Sequence, residues 1–189
     1  QLWDQLSGLL APQDTLIVFL AGQGAVVDGR YSFLPPEFRR TSSSWEADIV
    51  AQGVSAMDIG KALASIPALK RMVVLDTGQS GVIPIKRGAR SAFSFRGAIE
   101  RLSRAQGLFT LAAATTNRAA REVDDLGYNV LPYTLLAGLR AVDAGPLRSQ
   151  WITPTSEDRV VGVTEWFDYA SGHFRQITRQ HFGQPQDIQ

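Results

Sequence analysis

The hydrophobic pattern of the chain alternates between short apolar runs and segments whose apolar residues recur at helical spacing. Three uninterrupted runs, at residues 15–21, 72–75 and 108–114, have the length and composition of strands. The first is rich in β-branched residues and is bounded by glycines at positions 22 and 24. It therefore predicts a strand that is buried on both faces, as in a parallel sheet. Residues 31–34 predict a short edge strand or hairpin arm.

Helical segments lie between these strands. Leucines at positions 2, 6, 9 and 10 share one face of a first helix, which Pro12 closes. Ser55 is a suitable N-cap for a helix that runs to about residue 66. Further helices are predicted at 98–104, 130–142 and 165–182, the last capped by Thr164, and the polar segment 37–52 is predicted to be a loop.

This order of elements predicts the fold class. Strands that alternate with helices are typical of a doubly wound α/β fold with a mostly parallel central sheet. The chain has no internal repeat and no low-complexity linker. Residues 1–189 are therefore predicted to form a single domain.

Composition removes several classes of function. The chain has no cysteine, so it has no disulfide, no thiolate metal site and no cysteine nucleophile, and with only two histidines no metal or other cofactor is expected. A net charge of +1 does not indicate a nucleic-acid partner. No apolar run approaches the roughly 20 residues of a membrane span, and the first residues lack the basic region of a signal peptide. A cytoplasmic location without membrane contact is expected.

The strand ends are where chemistry is expected, because ligands bind beyond the carboxyl ends of parallel strands. The segments at these positions are 22–24, 76–81 and 114–117. A dinucleotide fingerprint would need glycine at position 27, where Val27 stands. A phosphate-binding loop would need Lys and Ser or Thr where Arg30 and Tyr31 stand, so both nucleotide interpretations fail.

A serine hydrolase is the next possibility at the second strand end. Ser80 lies in a segment similar to a nucleophile elbow, but Val82 replaces the glycine that this motif requires. The nearest available base, His173, falls inside a predicted helix. Ser80 is better interpreted as a turn residue, and His173 as a surface or packing residue.

Several motifs together resemble a known family. The runs DTLIVFLAGQG, DGRYSFLP and RMVVLDTGQSG resemble, in this order, the caspase-like peptidases, and most closely their bacterial metacaspase-like or orthocaspase branch. GLFTLAAAT is similar to the third core strand of that family, and residues 127–139 and 163–169 resemble its later segments. The resemblance covers roughly residues 13–189. It implies a three-layer α/β/α caspase-like fold with a mostly parallel sheet.

The resemblance also implies that the catalytic dyad is lost. The family uses a histidine and a cysteine, and Gln23 and Gly78 stand at these two positions. A carboxamide cannot shuttle a proton near neutral pH, and glycine offers no nucleophile. The chain is therefore expected to be a pseudoprotease that acts as a binding, regulatory or scaffolding module on a peptide or protein partner.

Binding residues can also be carried over from the family. Asp76 matches an aspartate that helps to form an acidic pocket for Arg or Lys, and Asp28 is a weaker candidate for a second carboxylate. Alternatively, Asp76 holds its own turn by accepting backbone hydrogen bonds. Backbone amides beside Gly78 are candidates for binding a carbonyl. The candidate binding residues are Gly24, Asp28, Asp76, Gln79 and Ser80.

Other interpretations stay open. The chain could be an inactivated or diverged form of a cysteine endopeptidase that cleaves after Arg or Lys, or, less plausibly, a hydrolase that uses Ser80. The basic loop at 84–97 corresponds to a region that is cut in the family, although a solubilising loop explains it as well.

The resemblance has one gap at its beginning. The first strand or strands of the family are missing, which predicts an open apolar edge along residues 15–21. A longer gene product or a separate segment is expected to complete the sheet. WD-repeat or other interaction domains often adjoin such domains in bacteria.

Overall fold

A computed structural model describes residues 2–79, 97, 100, 109–113, 122–123, 127–155, 157 and 159–188. Two compact units make up the chain, Gln1–Ala119 and Ala120–Ile188. That both belong to a single domain remains a prediction. The predicted basic loop at 84–97 and the predicted helix at 98–104 lie almost wholly outside the described residues.

The first unit is built on an open five-stranded sheet. Its strands are β1 (Thr15–Val27), β2 (Arg30–Leu34), β3 (Val54–Ser55), β4 (Lys70–Gln79) and β5 (Phe109–Ala112), in the order β3-β2-β1-β4-β5. The long β1–β4 ladder and the β4–β5 ladder are parallel, whereas β2 pairs antiparallel with β1 and β3. The prediction of an α/β fold with a mostly parallel central sheet is confirmed.

Strand β1 is almost twice as long as the sequence pattern predicts. The glycines at 22 and 24 do not end it, because Gly22 stays in the strand with a φ of +145°, a value that side-chain-bearing residues rarely adopt. The strand then forms a hairpin with β2 through Asp28 and Gly29, whose φ values are +48° and +72°. An Asp-Gly pair is the usual choice for this two-residue turn because both positions need positive φ. The predicted hairpin arm at 31–34 is confirmed.

Burial on both faces was predicted for β1 and is wrong there. Ile17 and Phe19 are 49% and 45% exposed, although the residues that alternate with them, Leu16, Val18 and Leu20, face the core. In β4, by contrast, Val73 and Val74 point to opposite faces and are 0% and 1% exposed. The same kind of apolar run is therefore covered on both faces in β4 and on only one in the first half of β1.

Helices cover both faces of this sheet. Helices α1 (Leu2–Leu9) and α3 (Ala56–Ala64) were both predicted, and they pack on the face that carries Leu16, Val73 and Leu75. Helix α3 begins with a reciprocal capping box, since Ser55 accepts from the Asp58 N–H and Asp58 accepts from the Ser55 N–H.

The opposite face is covered by helix α2 (Trp45–Gln52), which lies inside the segment predicted to be a loop. That prediction is wrong because the serine-rich run is a helix N-cap. Ser44 Oγ accepts a hydrogen bond from the Ala47 N–H at 3.2 Å. The buried Ile49 then packs in a second core with Ala25.

The second unit contains a short hairpin and two helices. Strands β6 (Glu122–Val123) and β7 (Tyr128–Asn129) pair antiparallel, and α4 (Val130–Gly138), a short 3-10 helix (Gly145–Leu147) and α5 (Val163–Phe182) follow. Trp166 Nε1 donates to the Leu135 carbonyl at 2.9 Å and so joins the two long helices.

Both helices of this unit differ at one end from their predicted bounds. Helix α4 stops before residue 142, since Arg140 has a φ of +61° and leaves the helical path. Helix α5 begins one residue before Thr164, so Thr164 is not its cap. The Gly162 N–H instead donates to Glu165 Oε2 at 2.9 Å, which satisfies an N-terminal donor from inside the helix.

Asp48 gives a test of how α2 is held. Its buried carboxylate accepts from the Thr41 hydroxyl at 2.8 Å and from the Thr41 and Ser42 N–H groups at 3.2 Å. Burial acts to raise the pKa of Asp48, but these hydrogen bonds outweigh it and the pKa lies below its ordinary value. The stabilisation is thus present above the ordinary aspartate pKa of about 3.9 and is lost as the pH falls through the lowered value.

Replacement Asp48→Ala should therefore lower the free energy of unfolding at about pH 7. The difference in this free energy between variant and wild type should shrink in strong acid, well below the ordinary aspartate pKa of about 3.9. Urea unfolding at about pH 7 and in strong acid measures the difference. The control is Glu37→Ala, which removes an exposed carboxylate and should have little effect. A difference for Asp48→Ala that does not change with pH would contradict the assignment.

Candidate functional site

The candidate site lies where the parallel ladder of β1 and β4 ends. In this ladder Gln23 is the direct partner of Gly78, and Gly24 is the partner of Gln79. Neighbouring strands lie about 4.8 Å apart, so the two positions at which the family resemblance places its dyad are adjacent. The fold thus joins two predicted loops that are far apart in sequence.

Strand alternation sorts the residues of this ladder onto two faces. Gln23 and Gly78 share one face with Ala21 and Asp76, and Gly24 and Thr77 share the other. Gln23 is exposed, whereas Gly78 is buried and has no side chain. Gln23 therefore presents an exposed carboxamide at this end of the face, and this group can donate and accept hydrogen bonds but cannot transfer a proton near neutral pH.

Asp76 lies below this surface. It pairs with Ala21 across the ladder, two residues before Gly78, and it is only 2% exposed. Asp76 also takes part in an interaction within the protein, as expected for a buried charged residue. Asp76 is thus close to Gln23 and Gly78 but is enclosed, and both of its predicted roles, pocket carboxylate and turn support, remain predictions.

Behind the site, on the opposite face, three buried residues hold the strands together. Tyr31 Oη donates to Thr77 Oγ1 at 3.2 Å and links β2 to β4 across β1. A Cβ at Gly24 would lie 2.8 Å from the Tyr31 ring and 3.0 Å from Thr77 Oγ1, so only glycine fits between them. Burial raises the pKa of Tyr31 to about 12, although the hydrogen bond with Thr77 opposes this, and the phenol keeps its proton at neutral pH.

Tyr31 and Thr77 were not recognised from the sequence as part of this arrangement. The signal for Thr77 is a polar residue inside an otherwise apolar strand, next to Asp76. Tyr31 gives no such signal, because a tyrosine is ordinary in a hairpin arm.

The remaining candidates are not brought to this place by the described structure. Asp28 is exposed at the β1–β2 turn, five residues beyond Gln23 and about 16 Å along the strand at roughly 3.3 Å per residue. Its positive φ and its position before Gly29 explain it as a turn residue. Ser80, the side chain of Gln79 and the segment 114–117 lie outside the described residues.

His173 belongs to helix α5 of the second unit. Its ring lies 4.3 Å from the Tyr169 ring, and burial lowers its pKa. This contact with Tyr169 fits the second part of its prediction as a surface or packing residue.

The described part of the chain shows neither a cluster of metal-ligating side chains nor a membrane-spanning helix. No group of His, Cys, Asp or Glu there is arranged to hold a metal ion. None of the helices described is long and apolar enough to cross a membrane.

Comparison with known proteins adds no identification. No protein-family model matches the chain, and no significant match is found among curated proteins. The resemblance of the sequence motifs to the caspase-like peptidases therefore stays a prediction.

The close contact at Gly24 predicts a large effect of a small substitution. Gly24→Ala inserts a methyl group against the buried Tyr31 ring and should lower the free energy of unfolding by about 1–3 kcal/mol, the usual cost of overpacking. Gly8→Ala is the matched control, because its Cβ meets nothing within 4 Å on helix α1. Alanine there should stabilise by roughly 0.5–1 kcal/mol. Urea unfolding measures both, and equal effects would contradict the packing argument.

The buried hydrogen bond gives a separate prediction. Tyr31→Phe should cost about 1–3 kcal/mol, because it takes this hydrogen-bond partner from the buried Thr77 hydroxyl. A double-mutant cycle with Thr77→Val isolates this pair, because the second substitution should cost less once the first has been made. Fully additive costs would show that the hydroxyl groups do not interact.

Proposed function

We propose that this chain is a caspase-like domain without a catalytic dyad, which acts by binding a peptide or protein as a regulatory or scaffolding module. The observation that carries the proposal is the direct pairing of Gln23 with Gly78 at the end of the parallel ladder. A proton-transferring histidine and a nucleophilic cysteine must be close neighbours to act together. The two substituted positions have that neighbourhood, which motif similarity alone could not guarantee.

The chemistry of these residues argues for binding rather than turnover. Thiol proteolysis needs a thiolate, and the chain contains no cysteine. It also needs a group that titrates near neutral pH, which a carboxamide does not. Gln23 keeps a donor and an acceptor at an exposed position, which suits contact with the amide groups of a peptide.

Selectivity of the proposed site would come from Asp76. A carboxylate on the same face as Gln23, with low exposure, favours a guanidinium or ammonium group through charge-assisted hydrogen bonds. A basic side chain would have to reach it from the exposed side of Gln23. The proposed ligand is therefore a peptide segment that carries Arg or Lys.

A second candidate function is an inactivated or diverged form of a cysteine endopeptidase that cleaves after Arg or Lys. The same Gln23–Gly78 pairing supports it, since restoring both side chains would place them on neighbouring strands. A hydrolase that uses Ser80 has no comparable support in the described residues. We propose a cytoplasmic location for the domain.

The double reversion Gln23→His, Gly78→Cys tests whether these two positions can work as a catalytic dyad and whether they are the positions of a lost one. We expect hydrolysis of short peptides after Arg or Lys to appear in the double variant, because both dyad members would then be adjacent. The matched controls are the two single variants, which should stay inactive because each lacks one group. Asp76→Asn in the reverted background should remove the preference for basic residues.

Two outcomes would contradict the proposal. Cleavage by the pure wild-type chain would show that it is an enzyme by other means. A correctly folded double variant without activity on either basic or acidic substrates would show that the site is not a former dyad. Circular dichroism and urea unfolding establish that the variants are folded.

A further inference from the structure

The segment between strand β2 and helix α2 carries two arginines directly before a run of hydroxyl side chains. Residues 39–44 have the sequence RRTSSS, and Arg39 and Arg40 stand three and two residues before Ser42. Residues 39–43 are all exposed, and they belong to neither a helix nor a strand. A serine in an exposed, irregular segment can be reached by another enzyme while the core stays folded.

The two arginines are available to a partner. Arg39 Nη1 donates to the Pro36 and Phe38 carbonyls at 2.7 and 2.8 Å, and Arg40 Nε donates to the Ser42 carbonyl at 3.3 Å. Among the described residues, neither guanidinium is paired with a carboxylate. Exposed hydrogen bonds exchange at little cost for hydrogen bonds to water or to another protein. Two such guanidinium groups suit a partner site lined with carboxylates.

Of the four hydroxyl side chains in this segment, that of Ser42 is the most suitable phosphate acceptor. Thr41 Oγ1 already donates to the Asp48 carboxylate at 2.8 Å, and Ser44 is the half-buried N-cap of α2. Ser42 is exposed, and its Oγ donates to the nearby Ser44 carbonyl at 2.9 Å. Kinases recognise charge patterns at fixed distances from the acceptor, and Ser43 lies one residue further from the arginines than Ser42.

We propose that Ser42 is a phosphorylation site for a serine/threonine kinase that selects basic segments. An electron pair of Ser42 Oγ forms a new bond to the γ-phosphorus of a nucleoside triphosphate, while the bond from that phosphorus to the bridging oxygen breaks. The nucleoside diphosphate leaves with the electron pair of the broken bond, and the hydroxyl proton passes to a base of the kinase. This proposal does not depend on the proposed peptide-binding function.

A phosphate on Ser42 lies beside a buried carboxylate. The Ser42 N–H donates to Asp48 Oδ2 at 3.2 Å, and Asp48 is only 2% exposed. Phosphoserine carries a charge of about −1.5 to −2 at pH 7, so it repels this carboxylate. Arg40 attracts the phosphate, but Arg40 is exposed, and salt screens exposed charges more strongly than buried ones. The repulsion by Asp48 is therefore expected to outweigh the attraction by Arg40.

The repelled carboxylate belongs to the helix that covers the sheet beside the candidate site. Asp48 lies in α2 and joins this helix to the segment before it. Helix α2 contributes Ile49 to the second core, which also contains Leu34. Leu34 is the β2 partner of Gln23, so this core begins directly next to the candidate site. Phosphorylation of Ser42 therefore loosens α2 and uncovers apolar surface beside Gln23.

Phosphoryl transfer to the folded chain tests the acceptor. The full chain is incubated with ATP and a serine/threonine kinase that selects Arg two and three residues before the acceptor, and mass spectrometry of fragments locates the phosphate. We expect one phosphate, on Ser42. Ser42→Ala should abolish the modification, whereas Ser43→Ala should keep it. Arg39→Ala with Arg40→Ala should lower kcat/KM of the kinase at least about tenfold, because charge-assisted hydrogen bonds are lost.

The matched control for the arginines is Lys61→Ala with Lys70→Ala. It removes two exposed positive charges elsewhere in the same unit and should leave kcat/KM of the kinase unchanged. Circular dichroism confirms that each variant is folded.

Hydrogen exchange measures the effect of the phosphate on α2. After phosphorylation of Ser42, the amides of residues 45–52 should exchange at least about tenfold faster, while those of strand β4 should not change. Asp48→Asn removes the charge but keeps a carbonyl acceptor. Phosphorylation of this variant should therefore accelerate the same amides less than in the wild type.

Three results would overturn the proposal. Transfer of phosphate only after the chain is unfolded in urea, or no transfer at all, would show that the folded segment is not an acceptor. A phosphate on Ser43 with Ser42 unmodified would show that the arginines direct the kinase elsewhere. Unchanged exchange in α2, or equal acceleration in Asp48→Asn, would show that the phosphate does not act through Asp48.

Discussion

The parallel ladder between β1 and β4 is the interaction on which the other features of the first unit depend. It pairs the two longest strands of the described structure from Thr15 to Gly24 and from Lys70 to Gln79, and it brings Val73 and Leu75 against the core that α1 and α3 complete. Parallel strands need a long crossover between them. That crossover here contains the β1–β2 hairpin, α2 and α3, which cover both faces of the sheet.

The same ladder accounts for the composition of the candidate site. Its carboxyl end brings Gln23 beside Gly78 and leaves Asp76 enclosed two residues earlier on the same face. On the reverse face, the Tyr31–Thr77 hydrogen bond and the absence of a side chain at Gly24 let three strands approach closely. The buried hydrogen bond on the opposite face thus holds the strands of the site together and has a structural role. Such support would suit the proposed binding function, because a surface that is already fixed loses less conformational entropy when a ligand binds.

The unfinished edge of β1 is the other consequence of this ladder. Only β4 pairs with residues 15–22 among the described strands, so the most apolar part of β1 has a partner on one side. Side chains along this edge are also incompletely covered. Ile17 and Phe19 are partly exposed, and helix α1 has no fully buried residue. A further strand would satisfy both at once, whereas a helix could cover the side chains but not the backbone.

Much of the fold could be predicted from local signals. Apolar runs identified β1, β4 and β5, leucine spacing identified α1, and the Ser55 cap identified α3. Predictions failed where the same polar residues are common both in loops and at helix N-termini. The serine-rich run before Trp45 was interpreted as a loop but caps α2, and Thr164 lies inside the helix it was expected to cap.

What the sequence by itself determined is the set of elements, their order and the chemistry that is absent, since these follow from local periodicity and from residue types such as the missing cysteines. Only the tertiary structure decided which elements meet. The apolar runs in β1 and β4 are alike, yet the run in β4 is buried on both faces and the run in β1 is exposed on one. The difference arises because burial depends on neighbouring strands and helices that a residue pattern does not specify. The pairing of Gln23 with Gly78 and the contact of Gly24 with Tyr31 are likewise matters of strand register, which is set by the packing of the whole sheet.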